Sequence, residues 1–114
     1  MDSLKKNQDF QAVYNNGTSR ADSLLVLYVL KKEGQEKSRV GISVSKKVGN
    51  SIVRHRLKRQ LREICRLRET ELLCGCDLVI IARNRAKGRS YQELERALLR
   101  LAAVQNTKGA RETT

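Results

Sequence analysis

Basic side chains crowd one quarter of this 114-residue chain. From Arg39 to Arg68 there are ten Lys and Arg residues and one acid, Glu63, so this stretch holds +9 of the formal net charge of +12. Guanidinium groups make bidentate contacts with phosphate, and a concentrated charge of one sign is neutralised most simply by a polyanion. The pattern therefore indicates a nucleic-acid-binding surface, with a merely solvated basic surface as the alternative.

The basic stretch is predicted to be an amphipathic helix that begins at Ile52 and ends between Glu69 and Leu73. Apolar residues recur on one side with helical spacing, at Val53, Leu57, Leu61 and Ile64. Cations cover the remaining arc, at Arg54, Arg56, Lys58, Arg59, Arg62 and Arg66. A solvated helix normally interleaves acids with such cations, so the unpaired charge favours polyanion binding.

The start of this helix is a second candidate anion site. Its first turn has no Asp or Glu to complement the positive end of the helix dipole, and Lys46 and Lys47 lie just upstream. Free backbone N–H groups there would hold a phosphate. Capping of these groups by Asn50 or Ser51 alone is the alternative.

The surrounding elements follow an α-β-β-α-β-α order, which predicts a single-domain α+β fold. Residues 7–16 form a first helix with Phe10, Val13 and Tyr14 on one face, and strands are predicted at 24–30, 39–45 and 77–83. The alternation along 39–45 places Ser43 and Ser45 on a polar face of the sheet.

The end of the chain is predicted to form a last helix and a tail. The helix begins at Tyr91, after a capping box formed by Ser90 and Glu93. The structured region is expected to span about residues 4–103 of one domain, and residues 105–114 are predicted to be a disordered, polar tail.

Other classes of protein fit less well. A nuclease with its own acid and base groups needs more than His55 alone among cations, and the acids are not clustered to hold a metal pair. The spacing of Cys65, Cys74 and Cys76 matches no common zinc pattern. No apolar run approaches the roughly 20 residues of a membrane span, so a cytoplasmic protein with reduced thiols is expected. A DNA-binding or ribosomal-type module stays open.

Several motifs closely resemble the bacterial ribonuclease P protein subunit. The matching segments are Arg39-Val-Gly-Ile-Ser-Val-Ser-Lys-Lys-Val-Gly-Asn50 and Arg54-His-Arg-Leu-Lys-Arg-Gln-Leu-Arg-Glu63, with the opening from Leu4, the Gly17-Thr-Ser19 turn and the strand from Asp77. The resemblance covers about residues 4 to 100. It implies an α/β sandwich similar to domain 2 of ribosomal protein S5, with a left-handed β-α-β crossover, an uncommon hand.

The resemblance also implies a role. The chain would be the non-catalytic protein subunit of an endoribonuclease whose RNA, with Mg²⁺, removes the 5′ leader of precursor tRNA. Its partners would be the catalytic RNA and precursor tRNA, with no membrane and no protein partner required. No metal or other cofactor is expected on the protein itself.

Site residues are carried over from the family position by position. The contact helix for the RNA subunit matches Arg54, Arg56, Lys58, Arg59 and Arg62. The helical pattern adds Arg66, and His55 stands where the family usually has Asn. The leader groove matches Phe10, Tyr14 and Tyr28, and the polar residues Ser43, Ser45, Lys46 and Lys47 are expected to floor and border it. Without the family, Phe10 and Tyr14 would be interpreted as core residues.

Overall fold

The computed structural model describes residues 2–35, 37–72 and 75–113, with side chains as far as Val104. Leu73 and Cys74, which appear in the predictions above, lie outside the described residues. The elements in chain order are β1 (Asp2–Ser3), α1 (Asn7–Asn16), β2 (Thr18–Ala21), β3 (Leu25–Lys31), β4 (Arg39–Val44), α2 (Ser51–Leu67), β5 (Cys76–Ala82), a short 3₁₀ helix (Asn84–Ala86) and α3 (Tyr91–Thr113).

The five strands form one mixed sheet in the order β1-β4-β5-β3-β2. β4 and β5 are parallel neighbours connected through α2, and β3 runs antiparallel to β5 on its other side. The predicted α+β fold and its β-α-β unit are therefore confirmed. Since β4 and β5 are parallel, their carboxyl ends lie at the same edge of the sheet.

The main core lies on the face of the sheet that α2 and α3 cover. Alternate strand residues such as Leu27, Ile42 and Ile80 point into it. Leu61 and Ile64 of α2 are 0% exposed, which confirms the predicted apolar stripe of the basic helix. Burial of this stripe fixes the cationic arc of α2 on the solvent side.

α1 covers only part of the opposite face. Val13 of α1 and Val79 of β5 are fully buried between the helix and the sheet. Beyond α1 this face stays half-exposed, with Tyr28, Ser43 and Ile81 at its surface. The sheet is thus sandwiched unevenly, and its less covered face offers the floor of a groove.

The structure differs from the predicted elements in two additional strands and in the ends of two helices. The strands β1 and β2 extend the predicted element order; β1 has two residues and β2 is exposed throughout, so neither carries an apolar pattern. α2 ends at Leu67 instead of 69–73. α3 continues to Thr113, where a disordered tail from 105 is predicted. That tail has no proline and contains Ala, Lys, Arg and Glu, all of which favour helix.

Candidate nucleic-acid interface

The solvent side of α2 carries the predicted cations. The side chains of His55, Arg56, Arg59 and Arg62 are exposed, and those of Arg54 and Lys58 are half-buried. A shallow depression of about 440 Å³ is lined by His55, Lys58, Arg59, Arg62, Glu63 and Arg66. Within the described part of the chain, none of Arg54, Arg56, Lys58, Arg59 and Arg62 forms an ion pair.

Arg66 differs from the other cations of α2. Its Nε and Nη2 donate to the Glu63 carboxylate at 3.1 and 2.5 Å. The hydrogen bond from Arg66 lowers the pKa of Glu63 below its ordinary value. Both side chains reach solvent, so water screens the pair and it stabilises the fold little. Arg66 therefore sits on the predicted surface, but its guanidinium already has a partner.

The start of α2 is capped by its own chain. The Asn50 side-chain oxygen accepts a hydrogen bond from the Val53 N–H at 3.0 Å, as one of the two alternatives foresees. The first turn has no acid, and Lys46 and Lys47 beside it are exposed. The positive end of the helix is therefore left without a protein counter-charge, although one of its donors is occupied.

The aromatic residues of the predicted leader groove come together on the less covered face of the sheet. The rings of Tyr14 and Tyr28 meet edge to face, with centroids 5.1 Å apart. Phe10 lies one helical turn from Tyr14 and crosses β4 at Gly41. Burial raises the pKa of Tyr14, Tyr28 adds to the rise, and a side-chain interaction with Ser43 opposes it. These residues are half-buried, so they pack against the core and remain accessible at the same time.

Ser45, Lys46 and Lys47 follow Val44, the last residue of β4. Ser45 lines a depression of about 570 Å³ at the carboxyl ends of β4 and β5. Its other walls are Ser23, Ala82, Arg83, Asn84 and Arg85. The predicted site residues did not include Arg83 and Arg85. The signal available in the sequence was the basic loop that follows the third predicted strand.

A buried carboxylate braces the opposite end of the groove. Asp77 of β5 is 1% exposed and receives two hydrogen bonds from Arg39, at 2.9 and 2.6 Å, and one from Gln35 at 3.0 Å. Arg39 also reaches Asp9 of α1 at 3.7 Å. Burial alone would raise the pKa of Asp77, but the hydrogen bonds from Arg39 and Gln35, together with the positive charges of Arg39 and Lys32, outweigh burial and the pKa is lowered. Arg39 thus connects α1 to the centre of the sheet.

Within the described residues, no three His, Cys, Asp or Glu side chains converge as metal ligands. Cys65 and Cys76 are buried, and burial raises the pKa of the Cys65 thiol to about 12. No helix in the described ranges has the length and apolar character to cross a bilayer.

An uneven α/β sandwich with a cationic helix on one side and an aromatic groove on the other defines a small RNA-binding protein. A family model described as Ribonuclease P matches residues 1–105. The ribonuclease P protein component of Lachnoclostridium phytofermentans is 50% identical over 103 residues, which cover 90% of this chain and 88% of that protein.

Two solved structures agree with this match. The Staphylococcus aureus RNase P protein superimposes with a TM-score of 0.84 at 32% identity, covering 92% of this chain and 95% of that one. The Thermotoga maritima RNase P protein gives 0.82 at 29% identity, covering 90% and 96%. The chain belongs to the ribonuclease P protein family. It is therefore a component of the ribonucleoprotein that processes the 5′ end of tRNA.

Proposed function

We propose that this chain is the non-catalytic subunit of ribonuclease P, and that it binds two RNAs at once. α2 contacts the catalytic RNA, and the aromatic groove holds the 5′ leader of precursor tRNA. The observation that carries the proposal is the placement of the two surfaces. α2 packs on one face of the sheet and α1 on the other, so each surface can be occupied without blocking the other.

The chemistry of the α2 surface suits a folded RNA. Five cations without carboxylate partners in the described chain project from one rigid helix, whose position is fixed by its buried stripe. Each phosphate that they neutralise releases counterions, which favours binding at low salt. His55, in the position where the family usually has Asn, can donate a hydrogen bond to this RNA or accept one from it.

The chemistry of the groove suits a single strand of varied sequence. Half-buried rings at Phe10, Tyr14 and Tyr28 can each stack on an unpaired base, and one such contact contributes roughly 1–3 kcal/mol with little dependence on the base. Ser43 supplies a hydroxyl beside the rings. Lys46 and Lys47, which follow β4 and are exposed, would contact phosphates of the strand as it leaves the groove.

The proposal assigns hydrolysis to the RNA and the required Mg²⁺ ions to the ribonucleoprotein, not to this chain. The described side chains do not gather the carboxylates that a two-metal site requires. His55 has no paired acid or base within the described residues to complete a nuclease centre. We place the complex in the cytoplasm, a reducing compartment that suits the buried free thiol of Cys65.

Reconstitution of precursor tRNA cleavage tests the proposal. Cleavage at the 5′ end is measured with a ribonuclease P RNA alone, with this chain alone, and with both, at near-cellular salt and Mg²⁺. We expect the pair to cleave faster than the RNA alone and to bind precursor more tightly than mature tRNA. Turnover by the purified chain without RNA would support a protein-only nuclease. Equal affinity for precursor and mature tRNA would support a general nucleic-acid-binding module.

A further inference from the structure

α3 carries a pair of arginines that none of the surfaces above includes. Arg96 and Arg100 are exposed and lie one helical turn apart. They border a depression of about 260 Å³ between α3 and the turn that joins β2 to β3, where Asp22 and Ser23 form the other rim. We call Arg96, Arg100 and Ser23 the α3 patch.

The acids near the α3 patch are already engaged. One oxygen of the Asp22 carboxylate accepts hydrogen bonds from the N–H groups of Leu24 and Leu25, both at 2.8 Å. Glu93 caps α3 by accepting from the Ser90 N–H at 3.2 Å and also binds Arg89. These hydrogen bonds hold the two carboxylates at the turn and at the helix start, and within the described side chains neither carboxylate forms an ion pair with Arg96 or Arg100.

Arg96 and Arg100 themselves have no carboxylate partner among the described side chains. Arg96 donates only to the backbone oxygen of Gln92, at a long 3.4 Å, and within the described side chains neither Arg96 nor Arg100 meets a carboxylate. Like charges at this helical spacing repel each other and destabilise an isolated helix slightly. An arrangement of this kind is favourable when a polyanion lies across both groups.

The α3 patch is continuous with the edge of the sheet where the groove opens. Ser23 lines both the small depression under α3 and the larger one that contains Ser45, Arg83 and Arg85. Ser45 follows Ser43, the polar residue of the groove, by two positions and lies one residue beyond the end of β4. A path of hydroxyl and guanidinium groups therefore leads from the groove, around the β2–β3 turn, to α3.

We propose that Arg96 and Arg100 bind phosphates of the RNA strand after it leaves the aromatic groove. The ligand is the phosphodiester backbone of leader nucleotides farther upstream than those stacked on the rings. The inference rests on the proposed function, because it requires a leader in the groove. It adds that long leaders gain affinity that short leaders cannot reach.

The test compares precursor tRNAs with a graded series of leader lengths. Affinity is measured for the complete ribonucleoprotein, with the wild-type chain and with the double variant Arg96→Gln and Arg100→Gln. Gln preserves helix propensity and length while it removes both charges. The control, Lys31→Gln and Lys37→Gln, removes the same charge from exposed positions away from the α3 patch.

We expect the α3 variant to weaken binding of long-leader precursors roughly three- to tenfold and to lower the salt slope by about 1 to 2. Short-leader precursors and the affinity for the RNA subunit should stay unchanged, as should both measurements with the control variant. A loss independent of leader length, a weakened RNA subunit, or an equal effect of the control would each overturn the inference. The proposed function is judged separately by wild-type cleavage, which does not depend on this result.

Discussion

Gly41 and Phe10 share one small volume on the groove side of the sheet. A Cβ atom at position 41 would lie 2.4 Å from the Phe10 ring, so Gly41 lets this ring settle onto β4. We expect Gly41→Ala to push the ring outward and to lower the free energy of unfolding by about 1–3 kcal/mol, as overpacking does. Chemical denaturation measures the loss.

A double-mutant cycle isolates the cause of this loss. In the Phe10→Ala background the clash disappears, so Gly41→Ala should cost clearly less than in the wild-type chain. A smaller residual cost is expected because Leu4 lies 3.3 Å from the same Cβ position. Strict additivity of the two substitutions would show that Phe10 does not rest on Gly41.

Asp77 is a buried carboxylate, 1% exposed, that is paired with Arg39. In Asp77→Asn, Arg39 loses its buried counter-charge, and removal of one partner of a buried pair costs about 3–5 kcal/mol. Arg39 is 29% exposed and can partly hydrate, so we expect a loss of about 3 kcal/mol. Asp9→Asn is the matched control, because it removes a more exposed carboxylate 3.7 Å from the same guanidinium and should cost much less.

The same carboxylate predicts a pH dependence. Because the pKa of Asp77 is lowered in the folded chain, its contribution to stability is present above the unfolded pKa of about 4. That contribution is lost as the pH falls through about 4 towards the lower, folded value. Acid unfolding of Asp77→Asn should therefore be less steep than that of the wild type in this range. An identical slope would mean that Asp77 is not held ionised by Arg39.

Single residues were predictable where their neighbours in the chain define their surroundings. The spacing of Phe10 and Tyr14 places them on one face, and Ser90 with Glu93 forms the expected capping box. Asp77 was not recognised as buried, because its partner Arg39 lies 38 positions away and is brought near only by the pairing of β4 with β5. Burial of a charge depends on such distant contacts, which no local pattern contains.

At the scale of elements, strong periodicity predicted position well and boundaries poorly. The stripe of α2 faces the core as expected: Leu57, Leu61 and Ile64 are buried, and Val53 at the start of the helix is half-buried against the core. The helix stops at Leu67, where the Arg68 backbone N–H still bonds to Ile64 and the chain then turns. The edge strand β2 has no apolar face, and only its pairing with β3 makes it a strand.

Separate elements predict separable defects. Arg59→Glu with Arg62→Glu reverses two exposed charges on α2, so we expect roughly ten- to hundredfold weaker binding of the RNA subunit, about 1.4–2.8 kcal/mol, with an unchanged fold. Phe10→Ala should leave that affinity intact and weaken precursor binding, because it removes a stacking surface worth roughly 1–3 kcal/mol. Filter binding with each RNA measures both effects.

Two controls separate a specific loss of RNA binding from a general effect of charge or misfolding. Lys31→Glu with Lys37→Glu carries the same change of net charge at exposed positions outside both surfaces, and it should alter RNA-subunit binding much less. Circular dichroism and denaturation show whether each variant folds. If the α2 and α1 variants weakened both RNAs equally, the two surfaces would not be separate sites.

For the whole molecule, the distribution of the net charge of +12 matters more than its size. Cations lie on α2, at the carboxyl edge of the sheet and on α3. Carboxylates, in contrast, accept hydrogen bonds from backbone N–H groups at a turn and a helix start, or pair with arginines inside the fold. These carboxylates therefore stabilise the fold, and the guanidinium groups outside the ion pairs are available to bind a ligand. Such a chain should bind RNA strongly at low salt and lose affinity steeply as salt rises.

The slope of that loss counts the phosphates that the protein neutralises. With about five or six α2 cations on the RNA subunit, log K should fall against log salt with a slope on the order of −4 to −5. Glu63→Gln releases Arg66, so it should steepen the slope by about 1 and tighten binding at low salt. Glu71→Gln removes one of the two carboxylates that bind Arg68 and leaves the Arg68 Nε bonded to Glu95, so it should not change the slope. A slope near zero for the wild type would mean that α2 does not contact phosphates, and an unchanged slope in Glu63→Gln would mean that Arg66 already contacts RNA in the complex or never does.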